Sequence, residues 1–497
     1  MNPLLLTDGY KTSHNKQYPK GTTLVYSNFT PRSNRYAPKG CNEVVVFGTQ
    51  MVMIQIHERF QTEFFDKPKD KVCSEIKREL SLYLGIDYDV SHFEALHDLG
   101  YLPICVKSLE EGTKSPIKVP VLTIYNTHTE FYWITNYLET ILSNLLWKPM
   151  TSATIAHQYR KVLTNWMQKT DKENSSFIDW QGHDFSMRGM DSVEAVVSSG
   201  LAHLTSFLGT DSLPAIYGAR KYYDANDFVA GSVPATEHSV MCAGGKEDEI
   251  ETFRRLLETY PKGILSVVSD TWDLWKVCTE HIVTLKDEIL SRDGKLVIRP
   301  DSGNPVDILC GNTLDTLPHA VKDGYYTDKD GNTISLSEYK GVIELLWDVF
   351  GGTINEQGYK VLDPHIGAIY GDSITIDRAD EICARLASKG FASTNVVLGI
   401  GSFTYQYNTR DTFGFAMKAT YVEVNGEGRE IFKDPITDDG TKKSATGLLS
   451  VIQIENNIKL IDKVDWKIEE TGMLKTIYKN GDFENKTNLI DIRKKLK

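Results

Sequence analysis

The sequence predicts an α/β protein, an irregular (β/α) barrel joined to a second, mainly antiparallel β domain formed by the N- and C-terminal segments. Three observations predict it. Short apolar runs at 264–270 (ILSVVSD), 296–305 (LVIRPDSGNP), 366–372 (IGAIYGD) and 396–402 (VVLGIGS) close on Asp or on Gly/Ser, the grammar of parallel strands covered on both faces and ending in turns. Their ends, Asp270, Asp301, Asp372 and Gly401, lie 31, 71 and 29 residues apart, a βα spacing with one insertion. Beyond about residue 412 the pattern changes to alternation and tight turns (AMKATYVEVNGEG, LLSVIQIENNIKLID, KTIYKNGDF), which is antiparallel language. Ligands of parallel barrels and sheets sit at the carboxyl ends of the strands, so the chemistry is expected there.

Taken in order, residues 1–150 are assigned to an N-terminal arm and part of the α+β domain, 151–405 to a barrel-like catalytic domain, and 406–497 to a β-rich segment packing with the N-terminal region. Residues 1–40 are rich in Tyr, Pro, Asn, Lys and Arg with little periodicity, and read as an ordered arm or loop in which Tyr10, Lys11, Tyr18 and Arg32 stand out. A helix is expected over 71–84. Strands are expected over 101–107 and 117–125, around a Glu-Glu-Gly-Thr-Lys turn. Apolar residues at helical spacing predict a core helix over 130–147 and a more polar one over 153–168. A loop-rich centre holds the clusters 183–189 (HDFSMRG), 209–211 (GTD) and 232–239 (SVPATEHS), with a small-residue helix over 192–207 between the first two. The βα series then brings helices over 249–259, 271–291, 336–350 and 374–389, interrupted by a polar insertion at 306–340.

The 497 residues, 41% hydrophobic and 10% aromatic, suffice for a large core and two or three domains. A formal charge of −12 argues against nucleic acid as a partner, since backbone phosphates want a basic face, and leaves room for a local basic pocket. Seven cysteines, an odd number without a Cys-x-x-Cys, point to reduced thiols in a cytoplasmic compartment. No apolar run approaches the ~20 residues of a membrane span, and the first residues lack a basic leader. The expectation is a soluble cytoplasmic protein with small-molecule partners and no membrane.

Three acidic residues at strand ends, Asp270, Asp301 and Asp372, could hold Mg²⁺ against a phosphorylated ligand, because hard cations prefer carboxylate oxygen plus ligand phosphate. Any one alone is a helix cap or turn residue; three in series favour function. The 399–402 run (GIGS) could offer backbone N–H groups to phosphate. The late basic residues Arg410, Lys418, Lys433, Lys442 and Lys443 are a solvated face unless they converge. His238, beside Glu237 in a Pro-flanked loop, suits a histidine kept nucleophilic by its neighbouring carboxylate.

The clusters HDFSMRG, GTDS, SVPATEHS, SVVSD, IRPDSGNP, GDS and TRD, in this order and preceded by TDGYKTSHNKQYP, resemble the nicotinamide phosphoribosyltransferase family from Leu5 to about Ser450. The resemblance implies a type II phosphoribosyltransferase barrel, assembled as a homodimer with shared active sites. It implies the synthesis of nicotinamide mononucleotide and diphosphate from nicotinamide and 5-phosphoribosyl 1-diphosphate, in NAD biosynthesis, with Mg²⁺ as cofactor and ATP as phosphoryl donor. Residue by residue, it implies that Phe185 and Tyr10 of the partner subunit sandwich the nicotinamide ring and that Asp211 accepts the carboxamide N–H. Arg188 and Arg299 would contact phosphate or base, and Asp270 and Asp301 would hold the metal, diphosphate and ribose. Gly371, Asp372, Gly401 and Ser402 would line the ribose and 5′-phosphate. Arg32, Arg410, Lys418 and Lys433 would reach in from the partner subunit, and His238 would be phosphorylated by ATP. The chain departs from the family pattern at Ser186-Met187, where Gly-Tyr is usual, at Thr236 for Ala, at Ala416 for Ser, and in a shortened glycine run at the phosphate loop. The alternatives are nicotinate phosphoribosyltransferase, discriminated by the residue after Gly209-Thr210, and another Mg-dependent sugar-phosphate barrel enzyme, which would leave Asp211 and His238 unemployed. A non-catalytic nucleotide sensor of this fold would not need the acidic and basic site residues.

Overall fold

A computed structural model describes residues 1–312, 326–327, 333–371, 373–432 and 445–497. The chain divides into two compact units, one of residues 1–155, 218–226 and 408–497, the other of residues 156–217 and 227–407.

The first unit is built on a seven-stranded sheet in the order Glu427–Glu430, Ala416–Val424, Thr22–Thr30, Leu122–Asn126, Ile104–Ser108, Lys475–Lys479, Asp482–Phe483. The tail therefore pairs with the N-terminal region, as its alternation suggested: Phe29 faces Met417 and Tyr26 faces Tyr421 across antiparallel strands. The arm expected over 1–40 is in part a central strand. Val25, Tyr26 and Phe29 are fully buried, and a β-branched and aromatic stretch with partners on both sides becomes a strand. Its flanking Pro, Gly and Asn residues masked that signal. The two helices expected over 130–147 and 153–168 are instead a short helix, Ile134–Tyr137, and one continuous helix, Glu139–Thr170, running through Pro149. Proline removes one intrahelical donor, but Leu142, Leu146, Met150 and Ala153 along the same face are all buried. Packing of that face outweighs one lost hydrogen bond.

The second unit holds a six-stranded parallel sheet in the order Gly209–Thr210, Gly182–Asp184, Val396–Ile400, Ile366–Tyr370, Asp293–Arg299, Lys262–Val268. All four predicted strands are in it, next to one another in the ring. The two additional strands are too short to show a period. The ring is closed by extended chain at 231–236: Gly231 N–H donates to the Leu208 carbonyl at 2.9 Å, and Ser266 N–H donates to the Pro234 carbonyl at 2.9 Å. The result is an irregular barrel, with Val267, Leu296, Ile298, Leu398 and Ile400 fully buried. Helices Glu249–Thr259 and Ile376–Ser388 stand where expected. The helix expected over 336–350 breaks at Gly341, whose φ of +77° favours glycine, and the one expected over 271–291 is a chain of short turns that includes a π-helical turn, Val277–His281. Among the described residues no helix is long and apolar enough to cross a membrane.

Candidate active site

Each strand of the barrel ends in a residue that carries chemistry. Phe185 follows Gly182–Asp184, Asp211 follows Gly209–Thr210, and His238 follows the closing segment. Asp270 follows Lys262–Val268, Arg299 and Asp301 end Asp293–Arg299, Gly371 follows Ile366–Tyr370, and Gly401 and Ser402 follow Val396–Ile400. Parallel strands put all their carboxyl ends on one rim, so residues scattered over more than 200 positions share one mouth. Below it lies a cavity of about 460 Å³, whose lining includes His183, Phe185, Asp211, Ser232 and Arg299.

Asp270 organises one side of the mouth. Its Oδ2 accepts the backbone N–H groups of Asp301 at 2.8 Å and Ser302 at 2.7 Å, which holds the Pro-Asp-Ser-Gly loop against the preceding strand end. Among the described residues its Oδ1 is buried without a hydrogen-bond partner, as is Arg299 Nε. Buried polar atoms are rarely left so; the carboxylate oxygen suits a cation or a donor, and the guanidinium N–H suits an anion. Arg299 Nη2 donates to the Thr236 carbonyl at 2.7 Å. Burial lowers the pKa of its guanidinium, and the carboxylates of Asp301, Asp211 and Asp270 oppose that shift.

His238 is half-exposed at the start of the helix His238–Gly244. Its Nε2 faces Asp270 Oδ1 at 3.9 Å and Asp301 Oδ2 at 3.8 Å, and its Nδ1 lies 3.1 Å from Thr271 Oγ1. The neighbour expected to orient it, Glu237, does not: its carboxylate takes the Ser239 hydroxyl instead. Consecutive residues entering a helix point in different directions, and the carboxylates that face the imidazole come from two other strands.

Opposite, His183 Nε2 lies 2.9 Å from Asp211 Oδ1; a carboxylate only accepts, so the imidazole donates. Ser232 donates to the same oxygen. Burial works to raise the Asp211 pKa, but the hydrogen bonds from His183 and Ser232, with the charges of His183 and Arg299, hold it below the ordinary carboxylate value. Phe185 stands beside this pair, its ring centroid 4.5 Å from that of His183. Two glycines are needed where they stand: a Cβ on Gly371 would lie 2.5 Å from Asp301 Oδ1, and one on Gly189 would lie 2.1 Å from Ser402 Oγ. The latter contact seats Ser402 on the Met187–Gly189 turn that carries Arg188. The departure at Thr236 has a structural use, since its hydroxyl accepts the Val268 N–H at 2.9 Å and ties the closing segment to the barrel. Ser186 donates its backbone N–H to Asp184 Oδ1 at 2.9 Å.

The remaining candidate residues belong to the first unit. Tyr10 is exposed on the turn Gly9–Ser13, Arg32 Nε donates to the Gly414 carbonyl at 3.0 Å, Arg410 lies 3.6 Å from Asp411, and Lys418 sits on the strand Ala416–Val424 opposite Asn28. Asp372, Lys433, Lys442 and Lys443 lie outside the described residues. Among the described residues no group of three or more His, Cys, Asp or Glu side chains could hold a metal. Asp270 and Asp301 nevertheless fit Mg²⁺, which is commonly bound by one or two carboxylates with substrate phosphates completing the shell, and the open Oδ1 of Asp270 is such a donor. Nothing in the sequence alone gave a role to Ser232 or Thr271, and His183, beside Asp184, reads there either as a nucleophile or as a structural residue. His183 and Ser232 lie inside the motif clusters, but only the fold makes them partners of Asp211.

The parallel barrel carries acids, arginines and an aromatic ring on its carboxyl rim, and solved structures share its fold. The chain is similar to nicotinate-nucleotide pyrophosphorylase from Pyrococcus furiosus, with a TM-score of 0.58 and 14% identity over 100% of this chain and 95% of that one. It is similar to human nicotinic acid phosphoribosyltransferase, with a TM-score of 0.55 and 13% identity over 99% and 92%. The model of the nicotinate phosphoribosyltransferase (NAPRTase) family matches residues 180–481, and that of the nicotinamide phosphoribosyltransferase N-terminal domain matches residues 2–94. The chain belongs to the nicotinate phosphoribosyltransferase family and is a pentosyltransferase. It is 50% identical to the nicotinamide phosphoribosyltransferase of Acinetobacter baylyi, over 100% of this chain and 97% of that protein, and 35% identical to that of Mycoplasma pneumoniae, over 89% and 94%.

Proposed function

We propose that the chain is a nicotinamide phosphoribosyltransferase, which joins nicotinamide to 5-phosphoribosyl 1-diphosphate and releases nicotinamide mononucleotide and diphosphate in NAD biosynthesis. The observation that carries the choice of base is Asp211, an ionised carboxylate beside Phe185 in a cavity. Its Oδ1 is occupied by His183 and Ser232, which leaves Oδ2 to accept a carboxamide N–H. A nicotinate carboxylate about 4 Å away would be repelled by ~4 kcal/mol at an effective dielectric near 20.

Phe185 supplies one ring face for the base, and Tyr10 of the partner subunit supplies the other within a homodimer. Arg299 and Arg188 neutralise phosphate and diphosphate. Gly371, Gly401 and Ser402 border the ribose and its 5′-phosphate, while Arg32, Arg410, Lys418 and Lys433 add positive charge from the partner subunit. Asp270 and Asp301 hold Mg²⁺ with the diphosphate, and the ion, when bound, stabilises the charge of the leaving group. The side chains hold the base nitrogen in line with the ribose C1 as the C1–O bond breaks, so positioning and fixed charge supply most of the rate. His238 accepts the γ-phosphoryl group of ATP: with Nδ1–H donating to Thr271, the Nε2 lone pair attacks phosphorus and ADP departs. The added charge stands beside Asp270 and Asp301 without entering the glycosyl transfer. The seven free thiols, six of them buried, suit a reducing, cytoplasmic setting.

The test is incubation with nicotinamide, nicotinate and 5-phosphoribosyl 1-diphosphate, with and without ATP, read by mass. Nicotinamide mononucleotide should dominate and rise with ATP. Equal or preferential formation of nicotinate mononucleotide would overturn the assignment in favour of the acid-using enzyme.

A further inference from the structure

The strand Ile366–Tyr370 is buried along its whole length and ends in a tyrosine that is 1% exposed. Packing alone would be met there by Phe or Leu, whereas a phenol hydroxyl taken into such a place needs a partner. It has one in the loop of the neighbouring strand: Tyr370 Oη donates to the Gly303 carbonyl at 2.9 Å. Gly303 belongs to the loop 300–304 that carries Asp301, and its φ of +89° favours glycine.

That loop follows Asp293–Arg299, which stands between Ile366–Tyr370 and Lys262–Val268 in the sheet. Both neighbours hold it. From one side Asp270 Oδ2 accepts the N–H groups of Asp301 and Ser302. From the other, Tyr370 takes the Gly303 carbonyl, and Gly371 N–H donates to the Pro300 carbonyl at 3.3 Å. Asn304 Oδ1 then accepts the Val306 N–H at 3.0 Å and starts the helix Pro305–Cys310. Each residue from Pro300 to Asn304 is thus tied, and the Asp301 carboxylate is left between His238, 3.8 Å from its Nε2, and the bare face of Gly371. The two braces differ in kind. Asp270 has its other oxygen toward His238, so a cation or donor drawn to that carboxylate also pulls on the loop. Tyr370 is uncharged and buried, and its hold does not depend on what binds.

We infer that Tyr370 is a positioning residue for phosphoribosyl transfer: its hydroxyl anchors the loop 300–304 and so fixes where the Asp301 carboxylate meets Mg²⁺ and diphosphate. The consequence for catalysis rests on the reaction proposed above; the anchor is a feature of the fold. Released by Tyr370, the loop keeps its bonds to Asp270 and pivots on them, and a small displacement of a positioned group is enough to cost rate. The base, set on Phe185 and Asp211 at the ends of other strands, does not feel it.

Hydrogen exchange read by mass, on the full-length protein without ligand, compares wild type with Tyr370→Phe, which keeps the ring and its packing. Exchange at Asp301 and Ser302 should quicken about fivefold, the weight of one typical hydrogen bond. Peptides from Asp293–Arg299 and Val396–Ile400 should stay within about twofold of wild type, with the melting temperature little changed. In steady-state kinetics the KM for 5-phosphoribosyl 1-diphosphate and the Mg²⁺ concentration at half-maximal rate should each rise about fivefold, while the KM for nicotinamide is kept. Loop exchange equal to wild type, exchange quickened equally through the barrel, or KM values that rise together or not at all would overturn the inference. Failure of the reaction assigned above would show in the wild type itself, as no nicotinamide mononucleotide, and the exchange comparison would still decide whether Tyr370 anchors the loop.

Discussion

Asp211 and His238 show how little of a residue's chemistry is its own. Asp211 is kept ionised by His183 and Ser232, so its substitution should act on selectivity more than on folding. Asp211→Asn should reduce the preference for nicotinamide over nicotinate by up to about a thousandfold, the equivalent of ~4 kcal/mol, measured as the ratio of kcat/KM for the two bases. An unchanged ratio would remove Asp211 from that role. His238 faces two carboxylates rather than the adjacent one, and its Nε2 is the acceptor in the proposed phosphorylation. His238→Ala should keep weak transfer and lose its stimulation by ATP. With γ-labelled ATP the wild type should carry an acid-labile, base-stable label; no such label, or equal labelling of His238→Ala, would rule out the phosphohistidine.

At the scale of elements, the barrel depends on short connections that pin helices to strand ends. The helix Val193–His203 is fastened by its last residue: His203 Nε2 donates to the Gly209 carbonyl at 3.0 Å, and Nδ1 accepts the Tyr405 hydroxyl at 2.7 Å. Full burial lowers the His203 pKa to about 4 from an ordinary 6.5. The unfolded imidazole therefore takes up a proton between these values while the folded one does not, so stability falls as pH drops through this window and is level above it. The loss approaches roughly 3 kcal/mol. Denaturant unfolding at pH 7 and pH 5 should show it, and His203→Gln, though less stable at pH 7, should lose less on acidification. Gly371 sets a different limit. Gly371→Ala puts a methyl group where the Asp301 carboxylate stands, and should lower kcat/KM at least tenfold with the melting temperature little changed.

For the whole molecule the test is assembly. Under the proposed sharing of sites, Tyr10 of the partner subunit completes the base site built on Asp211. A Tyr10→Ala protein and an Asp211→Ala protein, each nearly inactive, should regain about a quarter of wild-type activity on equal mixing with subunit exchange, because half the molecules become heterodimers with one intact site of two. No recovery, with exchange verified by mass, would place each site within a single chain.

Period and composition were enough to read the four long barrel strands, the helices Glu249–Thr259 and Ile376–Ser388, and the antiparallel tail, because each is written locally, in apolar runs and turn residues. Family membership was legible too, since its motifs survive as short words in fixed order. The strands Gly182–Asp184 and Gly209–Thr210 were not, nor was the closing stretch at 231–236, because two or three residues carry no period and become strands only when neighbours pair with them. The strand Thr22–Thr30 was hidden by its flanks, and the break between two helices was healed across Pro149 by a buried face. The same divide runs through the site. Asp270, Asp301 and His238 could be named from their loops, yet that Asp270 holds the Asp301 loop and that His238 turns from Glu237 toward both are consequences of parallel strands closing into a ring. A ring brings together residues that sequence keeps hundreds of positions apart, and only it decides which charges meet.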